Sequence, residues 1–169
     1  EYPAGALLIR YTDNHDIAND AFENRPERAW THAGMDAAFA LLFALDGIPF
    51  VYNGQEIADE VRHSIYKGVA ETVQWDRADS EIGRRRFALM QKFCQLRHNE
   101  KALAEGQVVW LDHEAPEAVL AFLREAGDER ILAVVNTRNQ AVAAALPVDG
   151  GSFATLAAAA AVLAGGKAQ

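Results

Sequence analysis

Two apolar runs, Ala6 to Tyr11 and Ile48 to Tyr52, each close on a cluster of polar and acidic residues. The first ends in Asp13-Asn14-His15-Asp16 and the second in Asn53-Gly54-Gln55-Glu56. Apart from Arg10 the first run is apolar on both sides, as a strand covered on both faces reads. Helix-forming sequence follows each run. Tandem strand–helix units are the repeat of a (β/α) barrel or a doubly wound sheet. Barrel enzymes keep their chemistry where the strands end. The pattern predicts part of an active site, and 169 residues are too few to hold the rest of it.

Pro26 and Glu27 open the first long helix, since proline suits a first turn whose N–H has no partner. Trp30, Gly34, Ala37, Leu41 and Leu45 recur at helical spacing and predict its apolar stripe, with Gly47 ending it. Pro49 is tolerated near the start of the second strand. From Ala58 to Asp79 the sequence reads as a long polar loop containing Arg62, His63 and Trp75; loops of that length are usually functional. Of its aromatics, Trp75 suits stacking on a ligand and packing the loop down equally well.

Asp79 or Ser80 caps a second helix. Its buried side carries Leu89, Met90, Phe93 and Leu96, with Cys94 read as a packed thiol and Arg84-Arg85-Arg86 as the solvated face. After Leu103 the texture changes. Val108 to Leu111, Ala118 to Leu123, Ile131 to Val135 and Val142 to Leu146 are short strand-like runs separated by turn chemistry. They predict a small antiparallel β-domain from residue 105 to 169, following an α/β part from 1 to 104, with Ser152 onward supplying a further strand.

Composition narrows the partners. Half of the residues are apolar, enough for a core, and the formal net charge of −8 argues against nucleic acid or an anionic membrane surface. One cysteine excludes an internal disulfide. No run is long and apolar enough to span a bilayer. The first residues, Glu1-Tyr2-Pro3, carry no leader, so localisation is not legible. His32, His98 and His113 lack zinc-ligand spacing. The acidic stretch from Asp13 to Asp20 lacks the turn glycine and distal glutamate of a calcium loop. No metal and no cofactor are expected.

Ile9-Arg10-Tyr11-Thr12-Asp13-Asn14-His15-Asp16 resembles the Asn-His-Asp motif that ends the seventh strand in the α-amylase family of glycoside hydrolases. Gly47-Ile48-Pro49-Phe50-Val51-Tyr52-Asn53-Gly54-Gln55-Glu56 is similar to that family's eighth-strand signature. The stretch from Leu96 to Leu103 resembles the closing barrel helix. The resemblance runs from about residue 5 to about residue 147. It implies an α/β plus all-β fold: a partial (β/α) barrel, strands 7 and 8 with their helices, followed by a small antiparallel β-sandwich domain.

The resemblance also implies roles. Asp16 is the carboxylate that stabilises the transition state, and His15 binds the sugar being cleaved. Asn14 belongs to the same substrate-binding set, chiefly by positioning the loop, while Gln55 and Glu56 buttress the floor. Tyr11 stands where the family often has Phe. A retaining mechanism needs a nucleophilic carboxylate and a carboxylic acid about 5–5.5 Å apart. The family keeps those on its fourth and fifth strands, so the chain alone is expected to be inactive. Its partners would be an α-linked glucose oligo- or polysaccharide and either the N-terminal portion of the barrel or a second copy. The competing expectation is a non-catalytic, amylase-like interaction module. A lectin-like use of the β-domain is a third, which no cluster of aromatics in residues 107–150 recommends.

Overall fold

The computed structural model describes residues 2–3, 5–63 and 72–148. Two strands, β1 (Ile9–Arg10) and β2 (Ile48–Pro49), pair in parallel with Ile9 opposite Ile48. Between them come three helices, α1 (His15–Asp20), α2 (Pro26–Ala29) and α3 (His32–Ala44). The ladder is shorter than the apolar runs. Among the described residues each strand pairs with the other alone, through bonds such as Ile48 N–H to Leu8 O and Phe50 N–H to Arg10 O, both 2.8 Å.

The helix expected from Pro26 onward is interrupted. Trp30 is extended, and the Thr31 hydroxyl caps α3 by accepting from Gly34 N–H. The stripe is also displaced: Met35, Phe39, Leu42 and Phe43 are buried, whereas Trp30 and Gly34 are exposed. Nearly every residue from Ala37 to Leu45 is apolar, so two overlapping stripes fit the sequence. Packing against the next helix selects between them.

That next helix is α4 (Glu81–Asn99), capped by Ser80. Met90, Phe93 and Leu96 are buried against α3, with Leu89 at the margin and the Phe43 and Phe93 rings stacked at 5.7 Å. Two expectations fail on this helix. Cys94 is exposed rather than packed. Arg86 is wholly buried, pairing with Asp36 (2.7 Å) and Glu27, while Arg85 reaches the other Asp36 oxygen at 2.6 Å. Arg84 is exposed and donates to the Asp79 carbonyl.

Helix α5 (Lys101–Glu105) leads into a three-stranded antiparallel sheet of β3 (Gln107–Trp110), β4 (Val119–Ala126) and β5 (Glu129–Asn136). Gly127, at φ +63°, makes the tight turn between the last two. Val142 to Leu146 forms no ladder, contrary to the expected strand. Its period-two burial persists, and Val142, Ala144 and Leu146 pack on Ala115, Ala118, Val119 and Ala121. The strand expected from Ser152 onward lies outside the described residues.

Two arginines fasten the sheet to the helices. Arg124 on β4 donates to the carbonyls of Ala44 (2.7 Å), Leu45 (2.8 Å) and Gly106 (2.8 Å). Arg97 donates to Phe43 O (3.0 Å), Leu45 O and Gly47 O. The last carbonyls of α3 have no partner within the helix, and cations there also meet its negative dipole end.

Candidate active site

The parallel pairing of β1 with β2 brings the two polar clusters to the same end of the strands. Asn14 caps α1, its side-chain oxygen accepting from Ile17 N–H at 2.9 Å. His15 and Asp16 follow in the first turn with side chains 55% and 62% exposed, and His15 Nε2 lies 3.2 Å from Asp16 Oδ1. An acidic group in a first helical turn is electrostatically favoured. The Asp16 carboxylate therefore faces solvent.

The second cluster folds into a tight coil. Gly54, at φ +92°, opens a 3₁₀ turn over Gln55–Ile57, and a Cβ on it would stand 2.8 Å from Asp59 Cβ. Only glycine leaves room for Asp59 there. Gln55 is fully buried; it accepts from Tyr52 N–H at 2.9 Å and donates to Thr12 Oγ1 at 3.0 Å, bridging the two strand ends. Glu56 accepts from Gly54 N–H at 2.9 Å. Its side chain lines a cavity of about 630 Å³ with Asn53, Phe87 and Gln91, on the α4 side of the strand.

Beneath these residues lies a buried charge network that sequence reading did not find. Arg25 is wholly buried and donates from Nε to Asp13 Oδ2 at 2.7 Å, and from Nη1 to Asp59 Oδ2 at 3.1 Å and to Val61 O. Asp59 accepts from Gln74 N–H at 3.0 Å, and His63 Nε2 lies 3.0 Å from its other oxygen. His63 Nδ1 in turn lies 3.2 Å from the Tyr52 hydroxyl. Burial pushes the Tyr52 hydroxyl above its usual range, against the pull of Arg25, so it stays protonated at neutral pH. Nothing in the spacing announces Arg25. Its carboxylate partners are twelve and thirty-four positions away.

Trp75 is 59% exposed, in a 3₁₀ turn over Trp75–Asp79. His32 and His98 are exposed, and His113 Nδ1 accepts from Ala115 N–H at 3.2 Å. Among the described residues no three His, Cys, Asp or Glu side chains are grouped to hold a metal ion. No described helix is long and apolar enough to cross a membrane.

Residues 110–166 match the family model of the maltogenic amylase C-terminal domain. The chain is 25% identical over 151 residues to α-amylase MalA of Haloarcula japonica, covering 86% of this chain and 20% of that protein. It is 27% identical over 137 residues to a cyclomaltodextrinase of a Bacillus species, covering 80% and 23% respectively. Among solved structures it superposes on maltogenic α-amylase AmyB from Thermotoga neapolitana with a TM-score of 0.64 and 27% identity. That match covers 80% of this chain and 30% of the other. The chain thus spans about a fifth to a quarter of the length of the curated relatives it matches.

Proposed function

We propose that this chain, a C-terminal portion of an α-amylase family protein, supplies the charge-stabilising acid of an α-glucan-active retaining glycoside hydrolase. Asp16 is that acid, His15 holds a hydroxyl of the sugar being cleaved, and Asn14 fixes the turn that presents both. Gln55 and Glu56 support the neighbouring strand end. The nucleophile and the acid/base belong to barrel strands N-terminal to this segment, so the 169 residues alone do not hydrolyse glucan.

The observation that carries the reading is the solvent-facing His15–Asp16 pair at the end of a parallel strand pair. The chain that carries it is similar to an α-amylase and to a cyclomaltodextrinase. The chemistry agrees. Glycosidic cleavage develops positive charge on the sugar ring, and hydrogen bonds to its hydroxyls strengthen in the transition state. A preorganised carboxylate holding those hydroxyls favours that state without reorganising at the moment of reaction.

The exposed apolar residues Leu7, Leu8, Ile9, Tyr11, Ile48 and Phe50 support a partner along the strand pair. Two strands do not close a barrel, and among the described residues neither outer edge is paired. In this reading the other β/α units of the same barrel cover them.

The test is expression of the full-length enzyme and assay on starch and maltohexaose, with Asp16→Asn beside the parent. The parent cleaves both substrates. The variant folds with an unchanged circular dichroism spectrum and loses kcat by about 10²–10³, the cost of removing other preorganised groups. Equal turnover by the two proteins rejects the role given to Asp16.

A further inference from the structure

We propose that Arg25 is a positioning residue for this site, clamping the His15–Asp16 turn to the loop that follows β2. The inference rests on the assignment of Asp16 made above, and deepens it.

Helix α1, six residues long, is too short to hold its own orientation. Asn14 caps it and Ala18 is buried, but the His15–Asp16 pair itself stands in solvent. Its placement is imposed from the preceding residue. Asp13 accepts from Asn14 N–H with one oxygen, at 2.9 Å, and from Arg25 with the other, at 2.7 Å. The backbone that launches His15 and Asp16 is thereby fixed against the guanidinium.

The guanidinium is held from the opposite side by Asp59 and Val61 O. Asp59 in turn is fixed by the Gly54 coil, by Gln74 N–H and by His63. One side chain therefore joins three separate stretches of chain. Both carboxylates and the arginine are fully buried, so no water substitutes for a lost contact. A planar fork with fixed donors spans two acceptors in different directions, whereas lysine offers a single point charge on a flexible stem. The site depends on this because misplacing a reacting group by about 1 Å costs on the order of a hundredfold in rate.

A double-mutant cycle in the full-length enzyme, with maltohexaose as substrate, tests the clamp. Arg25→Lys is expected to lower kcat by about tenfold to a hundredfold, with KM changing much less. In a background in which both groups of the turn are removed, His15→Ala with Asp16→Asn, the same substitution costs no more than about twofold, because the groups it positions are already gone. Equal losses in both backgrounds overturn the inference, since a merely structural role is additive. Asp59→Asn, which keeps an acceptor for Gln74 N–H, provides a second cycle with the same expectation, and decides alone if Arg25→Lys does not accumulate as folded protein. An Asp16→Asn enzyme with parental kcat overturns the assignment of Asp16 and this inference with it. Additive losses overturn the inference only.

Discussion

Arg86 lies four residues before Met90 and seven before Phe93, so the helical period puts all three on one face of α4. That signal was present in the sequence, yet a run of three arginines reads as solvated. The burial is tolerated because Glu27 and Asp36 accept from the guanidinium, which also sits 5.0 Å from the Phe39 ring centre. Desolvation nonetheless raises the Glu27 carboxyl above its ordinary value of 4.5, outweighing the pull of Arg86. A group that binds its proton more tightly when folded contributes stability that is present below the unfolded pKa. The contribution is lost as pH rises through the folded value. The stability of the parent relative to Glu27→Gln should therefore fall as pH is raised from 4.5 through that raised value, measured by urea unfolding. A difference that grows with pH contradicts the burial argument. Arg86→Leu leaves Glu27 buried without its partner, and Asp36 with Arg85 alone, and should cost about 3–5 kcal/mol.

At the level of elements, Gly47 controls the junction between α3 and β2. It sits at φ +80°, and a Cβ there would stand 2.4 Å from Leu8 O, the acceptor of the first bond of the parallel pair. Gly47→Ala should cost at least the roughly 1–2 kcal/mol of a left-handed L-residue, and more for pushing β1 away. The expected reading is a lower urea midpoint with faster amide exchange at Ile48 and Phe50. Unchanged exchange at those amides contradicts the close approach. The start of α4 was legible, because the Ser80 cap is a local matter; Pro26 does take a first-turn position, but of the four-residue α2 and not of the long helix. The face buried by α3 was not legible, because in so apolar a helix the choice belongs to whatever packs against it.

At the scale of the whole molecule, the strand pair and its flanks leave several apolar side chains exposed, with Leu7 64% and Ile9 62% exposed. Apolar patches of this kind mark interaction surfaces or aggregation liabilities. The 169-residue chain by itself should sediment as dimers or larger species at micromolar concentration, and Ile9→Lys with Phe50→Lys should shift it toward monomer. A monomer at those concentrations with a cooperative heat transition contradicts the exposed surface as a docking face. The resemblance to α-amylases was legible because two short motifs hold their order and their setting at strand ends. The charge network beneath them was not.

By itself the sequence determined the Ser80 cap, the three strands from β3 to β5 and the two polar clusters, all properties of neighbouring residues. Only the tertiary structure decided which side of α3 is buried, that Arg86 goes inside, and that Arg25 joins Asp13 to Asp59. A buried charge is tolerable only where partners from remote segments converge on it, and that convergence is settled by how helices and strands pack.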